Sequence, residues 1–354
     1  MASISSKKAK GQFYTVNSEY IMRGLSIPEG PLSIIEPFAG KGDLISWIKR
    51  QDTAIQTPDI SVEAYDIDPK NEGILVRDTL MDPPTYADKW ILTNPPYLAR
   101  NKCDSKIVFD KYDTNDLYKC FIMSLVEQPV SARGGILIIP VGFFLSPRDI
   151  DVRCRSAFLS KYQITRVNYF EEDVFPDTTT TVVAFSFERA STILDSQSIE
   201  WTMMPAGKCQ TFVLSAANDW IIGGDIYNLP VNNTIKVRRY VDGQILKPGE
   251  QLTELTLTAL DSGLANGRIC LEYRPGYTYL AKDTSRSYAT LCITGCVLTP
   301  EQQQQIAEQF NQLIEKKREE TWSLFLPQFR ESKEYARKRI PFELAYRIVS
   351  HLYR

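Results

Sequence analysis

The segment Ile91–Tyr97 constrains the fold most, because a short apolar run ends abruptly in Asn94-Pro95-Pro96-Tyr97. The apolar residues are typical of a buried strand. Two consecutive prolines lack the backbone N–H groups that continue a sheet ladder, so the strand should end with Asn94 at its carboxyl end. Open α/β sheets bind their ligands just beyond the carboxyl ends of their strands. We therefore expect Asn94 to lie at the ligand-binding edge of such a sheet.

Residues 94–97 also carry groups that suit a planar amino group. The Asn94 amide oxygen and the Pro95 carbonyl, held by rigid prolines, can accept its two hydrogens and make its nitrogen more nucleophilic. The Tyr97 ring offers a face on which a planar ring can stack. Asn-Pro-Pro is also common turn chemistry, so the interpretation depends on what the neighbouring strands carry.

Acidic side chains follow three further predicted strands. Glu36 precedes the glycine turn Phe38-Ala39-Gly40-Lys41-Gly42, Asp66 ends the second strand and Asp78 ends the third. Glycine allows a ligand close to the backbone, and the following helix offers free N–H groups. A carboxylate at Asp66 can accept hydrogen bonds from ribose hydroxyls, and one at Asp78 from an adenine amino group. The turn lacks the third glycine of the dinucleotide fingerprint, so the four polar strand ends favour another nucleoside-containing ligand.

The order of the predicted elements indicates two domains, for which 354 residues are sufficient. Up to residue 189, strands alternate with helices, which is typical of βαβ units in one mostly parallel sheet. Beyond it, short irregular strands precede a long polar helix over residues 300–322 and a helical stretch over 333–353, broken near Pro341. We predict an α/β fold, with a Rossmann-like sheet and helices on both faces over residues 1–189, and a smaller mixed α+β domain over 190–354.

Composition argues against several classes of protein. The net charge is −2, so contact with nucleic acid requires a local basic patch. Seven scattered cysteines and one histidine argue against a metal site, and unpatterned cysteines are typical of a reducing cytoplasm. No apolar run approaches the ~20 residues of a membrane span, and no signal peptide is visible. We therefore expect a cytoplasmic protein that makes no contact with membranes.

Together these motifs resemble those of the gamma class of DNA adenine-N6 methyltransferases from type II restriction–modification systems. The resemblance covers residues 10–189, and follows the family's order of cofactor motifs, catalytic motif and C-terminal target-recognition domain. Its motifs are Gly11-Gln12-Phe13-Tyr14-Thr15, Glu36-Pro37-Phe38-Ala39-Gly40, Asp66-Ile67-Asp68-Pro69, Asp78, Asn94-Pro95-Pro96-Tyr97, residues 116–121 and 134–140, Asp173-Val174-Phe175-Pro176 and residues 180–185. Lys41 and Asp43 depart from the family's pattern, but neither removes a group that the chemistry needs.

The resemblance implies a domain with a Rossmann-like methyltransferase sheet. It also implies that the protein transfers a methyl group from S-adenosylmethionine to N6 of a flipped-out adenine in double-stranded DNA. It implies that the adenine lies between Tyr97 and Phe175, while Asn94 and Pro95 accept the amino hydrogens; these four are the expected catalytic residues. The implied cofactor-binding residues are Thr15, Glu36, Phe38, Gly40, Asp66, Ile67 and Asp78. No metal is implied, because the sulfonium donor is already activated.

Basic residues in two regions are candidates for contact with DNA, because Arg and Lys favour phosphates and guanine edges. The polar segment 98–116 is long for a connection, and we interpret it as a lid with Arg100, Lys102 and Lys106 near phosphates. The C-terminal candidates are Lys236, Arg238, Arg239, Arg268, Arg274 and Arg286, with Tyr240, Tyr277 and Lys282 beside them. A solvated polar surface is the alternative for each of these residues.

Other acceptors and roles stay open. Protein glutamine-N5 methyltransferases use the same chemistry on an amide, but usually carry their extra domain at the amino terminus. The catalytic residues also fit an RNA adenine or guanine methyltransferase, and cytosine-N4 is a further possible acceptor. Intact Asn94, Tyr97 and Asp66 argue against a non-enzymatic specificity subunit. The expected partner is double-stranded DNA, with a cognate restriction endonuclease as a second possible partner; we expect a monomer, bacterial or virus-encoded.

Overall fold

The computed structural model describes Thr15 and residues 17–55, 60–175, 180–261, 268–329 and 337–353. The chain divides into two compact units, residues 1–216 and 217–354. None of the helices in these described ranges is long and apolar enough to cross a membrane.

The first unit is built around nine strands. These are β1 (Leu32–Glu36), β2 (Ile60–Asp66), β3 (Leu75–Val76), β4 (Trp90–Thr93), β5 (Gly134–Pro140), β6 (Tyr162–Phe170), β7 (Val182–Arg189), β8 (Ser196–Met204) and β9 (Lys208–Ser215). The helices are α1 (Ser18–Ile21), α2 (Asp43–Ile55), α3 (Ile107–Tyr112), α4 (Leu117–Val126), α5 (Gly142–Leu145) and α6 (Asp149–Leu159).

All nine strands form one sheet, in the order β3-β2-β1-β4-β5-β7-β6-β8-β9. The strands from β3 to β5 are parallel to one another, whereas β7 runs antiparallel between β5 and β6. The doubly wound dinucleotide fold has no such inserted antiparallel strand. The strand order changes direction between β1 and β4, where sheets of this class leave a crevice at their carboxyl edge. The predicted α/β class with a mostly parallel sheet is confirmed.

Strand β4 ends as its sequence predicts. Its four residues are all buried, and the strand stops at Thr93, directly before Asn94. On its other side, β5 begins with Gly134 and Gly135, where a Cβ on Gly135 would lie 2.3 Å from the Ile91 carbonyl oxygen. Glycine therefore allows β5 to approach β4 closely in the middle of the sheet.

The boundary between the two units differs from the predicted one at residue 189. Strand β8 pairs in parallel with β6, and β9 pairs antiparallel with β8, so residues 196–215 extend the first unit's sheet. The sequence does not show which sheet these two strands join, because strand pairing depends on contacts between residues that are distant in the chain.

The second unit contains an antiparallel four-stranded sheet in the order β10-β13-β11-β12. Its elements are β10 (Lys236–Arg239), β11 (Glu250–Thr258), β12 (Cys270–Tyr273), β13 (Tyr288–Thr294), α7 (Pro300–Thr321), the pair β14 (Gln328–Phe329) and β15 (Arg337–Lys338), and α8 (Phe342–Leu352). Buried Leu257 and Leu291 of the sheet share one core with Phe310 of α7 and Ile348 of α8. The predicted smaller mixed domain is therefore confirmed as a fold.

Both C-terminal helices begin at recognisable sequence signals. Thr299 accepts a hydrogen bond from the Gln302 N–H, and the Gln302 side chain accepts one from the Thr299 N–H, with Pro300 in the first turn. This capping box satisfies backbone donors that the first turn of a helix leaves free. Helix α8 begins only after Pro341, whereas residues 337–338 form β15, so the predicted helix over 333–353 is shorter than expected.

Candidate active site

A cavity of about 530 Å³ lies at the carboxyl ends of β1, β2 and β4. All seven residues that the sequence assigned to cofactor binding line it: Thr15, Glu36, Phe38, Gly40, Asp66, Ile67 and Asp78. Asn94 lines the same cavity, whereas Pro95, Tyr97 and Phe175 are not among its lining residues. One cavity therefore brings the predicted donor residues and the predicted catalytic amide together.

The glycine turn after β1 is held by Asp66. Gly40 and Gly42 have positive φ angles, which residues with a Cβ atom rarely adopt. The Gly40 N–H donates to Asp66 Oδ2 at 2.8 Å, and the Asp68 N–H donates to Oδ1 at 2.8 Å. Asp66 thus cross-links β2 to the turn, a role that the sequence did not predict, and its oxygens keep further lone pairs for a ligand.

Glu36 is the most unusual charged group of the cavity. Its side chain is buried, and its Oε2 atom has no hydrogen-bond partner among the described residues. Burial raises the pKa of Glu36 well above its usual value, and the nearby Asp43 and Asp66 carboxylates raise it further. A buried acceptor without a donor is costly. This end of the cavity therefore suits a ligand that brings a donor or a positive charge.

One rim of the cavity is formed by residues 77–81. Asp78 is exposed, and its Oδ1 accepts hydrogen bonds from the Leu80 and Met81 N–H groups at 3.2 and 3.1 Å. Helix α3 holds this rim, because Tyr112 donates to the Leu80 carbonyl at 2.8 Å and Lys111 donates to the Met81 carbonyl at 2.8 Å. These side-chain hydrogen bonds to backbone carbonyl groups fix the rim and leave Asp78 accessible.

The Asn94 amide is held from two sides. Its Nδ2 donates to Thr15 Oγ1 at 3.3 Å, and its Oδ1 accepts from the Tyr97 hydroxyl, which also lies 2.7 Å from the Ile138 carbonyl oxygen. The Tyr97 ring meets the Tyr118 ring edge-on, with 6.3 Å between centroids. Burial, and then the Asp116 carboxylate, raise the pKa of Tyr97 well above its usual value.

The two aromatic rings assigned to a target base are both buried. Tyr97 is 7% exposed and Phe175 is 2% exposed. Neither ring presents a face to the cavity described above. Their assignment to base stacking stays a prediction, and it requires at least Tyr97 to move when a base enters.

The segment 98–116 forms part of the cavity lining and is an ordered part of the fold. Its two ends pair, because Ala99 forms a bridge with Asp116 and the Arg100 N–H donates to the Asn115 carbonyl at 2.9 Å. Cys103, Ser105, Ile107 and Val108 of this segment line the cavity. These lining residues were not expected from the sequence, although the apolar pair Ile107-Val108 inside a polar segment was a signal.

The predicted DNA contacts of this segment are mostly occupied within the protein. Arg100 forms an ion pair with Asp110 at 2.6 Å, and Lys106 donates to the carbonyl groups of Arg100 and Cys103. Lys102 is exposed. Of the three cations, Lys102 is therefore the most accessible to a phosphate in this conformation.

Most of the predicted C-terminal contacts are also engaged. Arg238 donates to both carboxylate oxygens of Glu250, and Arg239 donates to the carbonyl groups of Asp283 and Ser285.

Two further arginines form ion pairs nearer the surface. Arg268 pairs with Glu315 at 3.2 Å, and Arg274 pairs with Glu272 at 2.6 Å. Lys236 and Arg286 are exposed. Sequence could not separate the two groups, because an ion pair depends on residues that are distant in the chain.

Comparisons with protein-family models and with curated proteins found no match. Solved structures are similar to this chain at low sequence identity. One, assigned as a modification subunit of a type I restriction enzyme from Vibrio vulnificus YJ016, is 17% identical, with a TM-score of 0.43 over 56% of this chain and 48% of that chain.

Two further structures show a similar level of likeness. The methyltransferase subunit of a type I restriction-modification system from Streptococcus thermophilus is 16% identical, with a TM-score of 0.40 over 54% of this chain and 47% of that chain. The type IIL restriction-modification enzyme MmeI, solved in complex with DNA, is 12% identical, with a TM-score of 0.40 over 66% of this chain and 40% of that chain. The chain thus spans about half the length of these proteins or less.

Metal ligands are not clustered in the part of the chain that the structure describes. No group of three or more His, Cys, Asp or Glu residues there could hold a metal ion.

Asp116 is an acidic group beneath the candidate catalytic residues. Its Oδ1 atom is buried and has no hydrogen-bond partner among the described residues. Burial raises the pKa of Asp116 to about 6, although Lys119 and the N–H groups of Tyr118 and Leu98 act to lower it. The folded protein therefore binds a proton between about pH 4 and pH 6 that an unfolded chain does not bind.

Asp116→Asn should change how stability depends on pH. Because the folded-state pKa is raised, the Asp116 contribution to the free energy of unfolding falls as pH rises from about 4 to about 6. The amide keeps an acceptor oxygen but carries no charge. The difference in thermal midpoint, variant minus wild type, should be larger at about pH 7.5 than at about pH 4.5. An equal difference at both pH values would contradict the shifted pKa.

Proposed function

We propose that this protein transfers a methyl group from S-adenosylmethionine to N6 of an adenine in double-stranded DNA, as the modification component of a restriction–modification system. One observation carries the proposal. The predicted cofactor residues and the amide of Asn94 line a single cavity at the point where the strand order changes direction.

The residues of the cavity fit the proposed cofactor. S-adenosylmethionine supplies a methyl group that is already activated on a sulfonium centre. The buried Oε2 of Glu36 has no partner among the described residues. It would accept a hydrogen bond from the cationic amino group of the cofactor. Asp66 and Asp78 would accept hydrogen bonds from ribose and adenine, with Phe38 and Ile67 as apolar contacts. The cavity volume of about 530 Å³ is within the range of small-molecule sites.

Asn94 would orient the acceptor. Its amide oxygen and the Pro95 carbonyl can accept the two hydrogens of an amino group and direct the nitrogen lone pair toward the cavity. Orientation of this kind supplies much of the catalysis in a direct transfer. The Tyr97 hydroxyl lies against the same amide oxygen. An entering amino group must therefore share or displace this hydrogen bond.

An adenine within a duplex would have to leave the base stack to reach Asn94. Stacking on Tyr97 and Phe175 would return about 1–3 kcal/mol per base and offset part of this cost. Because both rings are buried, we propose that base entry turns Tyr97 away from Tyr118. Aromatic rings on both sides suit a flat base better than a protein amide, which favours the nucleic-acid acceptor over glutamine.

The second unit offers a surface for DNA that includes part of the set of residues the sequence suggested. Tyr277 and Tyr288 are 42% and 45% exposed, and Lys282 and Arg286 are exposed beside them. Exposed cations can contact phosphates, unlike Arg238 and Arg239, which are engaged within the protein. We propose residues 277–288 as a main DNA contact; the monomeric state and the cognate endonuclease stay predictions.

Asn94→Ala should lower the rate of methyl transfer by at least about 100-fold, because the amino group of the acceptor loses its main orienting hydrogen-bond acceptor. Transfer of labelled methyl groups to plasmid DNA measures the rate, and mass spectrometry of the nucleosides identifies the product. Gln312→Ala, at an exposed amide on α7, is the matched control and should have wild-type activity. Near-normal turnover of Asn94→Ala would exclude its catalytic role. Label found only in protein, RNA or cytosine would exclude the proposed acceptor.

Glu36→Gln should weaken binding of S-adenosylmethionine and of S-adenosylhomocysteine by about 10- to 100-fold, because hydrogen bonds to charged groups contribute about 1.5–3 kcal/mol. Both ligands retain the amino group from which Glu36 would accept a hydrogen bond. Calorimetric titration measures the affinities, with Glu29→Gln at an exposed site as the control. Unchanged affinity for both ligands would show that Glu36 does not hold the cofactor.

Lys282→Ala and Arg286→Ala should each weaken DNA binding and reduce the slope of log affinity against log salt concentration by about 1. Fluorescence anisotropy with a duplex at several salt concentrations measures this slope. Lys316→Ala, an exposed cation on α7, is the control and should keep the wild-type slope. Wild-type slopes for both test variants would place the DNA contact elsewhere.

A further inference from the structure

An ion pair between Lys119 of α4 and Asp151 of α6 is buried in the first unit. The two side chains are 3% and 1% exposed. Asp151 also accepts hydrogen bonds from Ser146 Oγ at 2.5 Å and Arg148 Nε at 2.8 Å. Burial alone would raise the pKa of Asp151, but Lys119, Ser146 and Arg148 together hold it below its usual value. Asp151 is therefore a stable carboxylate that keeps the Lys119 ammonium in place.

Lys119 connects this ion pair to the segment that follows Tyr97. Its Nζ donates to Asn115 Oδ1 at 2.7 Å. The Asn115 carbonyl accepts from the Arg100 N–H at 2.9 Å, and the Leu117 N–H donates to the Leu98 carbonyl at 3.2 Å. Residues 115–117 thus run alongside residues 98–100, which come directly after Tyr97.

The same turn of α4 also contacts Tyr97 through its ring. Tyr118, the neighbour of Lys119, meets the Tyr97 ring edge-on. Leu98 and Leu117, which are joined by the backbone hydrogen bond, both line the cavity. The position of α4 therefore sets both the packing of Tyr97 and one wall of the cavity.

Stability alone does not explain a buried ion pair at this place. Removing two charges from water costs about as much as their attraction returns, and apolar residues of similar volume often serve stability equally well or better. A charged pair does provide direction, because an ammonium group held by a carboxylate points its remaining hydrogens at defined acceptors. Here one of those acceptors is the Asn115 side chain.

We propose that Lys119 and Asp151 are positioning residues, which act through Asn115 to hold residues 98–100 and thereby orient Asn94 and Tyr97 for methyl transfer. The inference rests on the proposed function for the reaction, but its structural part does not. The bond chain runs from Asp151 to Lys119, from Lys119 to Asn115, and from the Asn115 backbone to Arg100.

Asn115→Ala tests this chain while leaving the buried ion pair intact. The turnover number for methyl transfer should fall about tenfold, because small misplacements of reacting groups are costly. Cofactor affinity and the thermal midpoint should stay close to wild type, which a purely structural defect would not produce. Asn115→Asp keeps an acceptor for Lys119 and should recover most of the rate. Arg148→Ala, which removes only the outer, largely exposed partner of Asp151, is the control and should leave the rate unchanged.

The double variant Lys119→Met/Asp151→Leu removes both buried charges at once. Neither member of the pair is left as an unpaired charge, and Asp116 is mostly protonated below its pKa of about 6. The variant should therefore fold at about pH 5 with a thermal midpoint near that of the wild type. Its turnover number should nevertheless fall about as far as that of Asn115→Ala. A folded double variant with the wild-type turnover number would overturn the proposal.

Hydrogen exchange of the Arg100 and Leu117 amides provides a readout that does not depend on the reaction. Both amides should exchange about tenfold faster in Asn115→Ala and in the double variant, since their hydrogen bonds open more often. Unchanged exchange overturns the positioning role whatever the protein catalyses. Faster exchange in a protein whose wild type methylates no DNA would overturn the proposed function, and with it the link to catalysis.

Discussion

The parallel pairing of β1 with β4 is the interaction on which the candidate site depends. Ile34 pairs with Trp90 and Ile35 with Ile91, so the two strands end at the same edge of the sheet. Glu36 and Asn94, which are far apart in the chain, therefore lie in the wall of one cavity. A methyl donor and its acceptor must meet within bonding distance, and this pairing places their proposed partners on a common surface.

The electrostatics of the cavity follow from that geometry. Each carboxylate oxygen of Asp66 accepts one hydrogen bond from a backbone N–H group, and the bond from Gly40 holds the glycine turn in place. Glu36 has no such compensation at Oε2, and its pKa is raised by burial and by its acidic neighbours. The fold thus keeps one costly acceptor at the cavity wall, as expected where a ligand provides the missing donor.

The segment after Asn94 shows how the proposed catalytic residues are connected to the packing of the protein. The prolines end β4, and the chain then leaves the sheet as the segment 98–116, whose two ends pair with each other. Tyr97 is packed against Tyr118 at the start of α4, and Lys119 ties that helix to α6 through Asp151. The contacts that hold Tyr97 therefore extend through α4 to α6.

The sequence by itself determined the α/β class, the end of β4 and the polar strand ends Glu36, Asp66, Asp78 and Asn94 that line one cavity, because each depends on local signals. Thr15, Phe38 and Ile67, which line the same cavity, were expected only from the resemblance to a family. Prolines remove hydrogen-bond donors, glycines permit positive φ angles, and polar residues at strand ends meet at one edge of a parallel sheet. Only the tertiary structure decided which edge β8 and β9 joined, which arginines were paired, and that Ile107 and Val108 close the cavity. These outcomes depend on contacts between residues distant in the chain, and their energies do not appear in any local pattern.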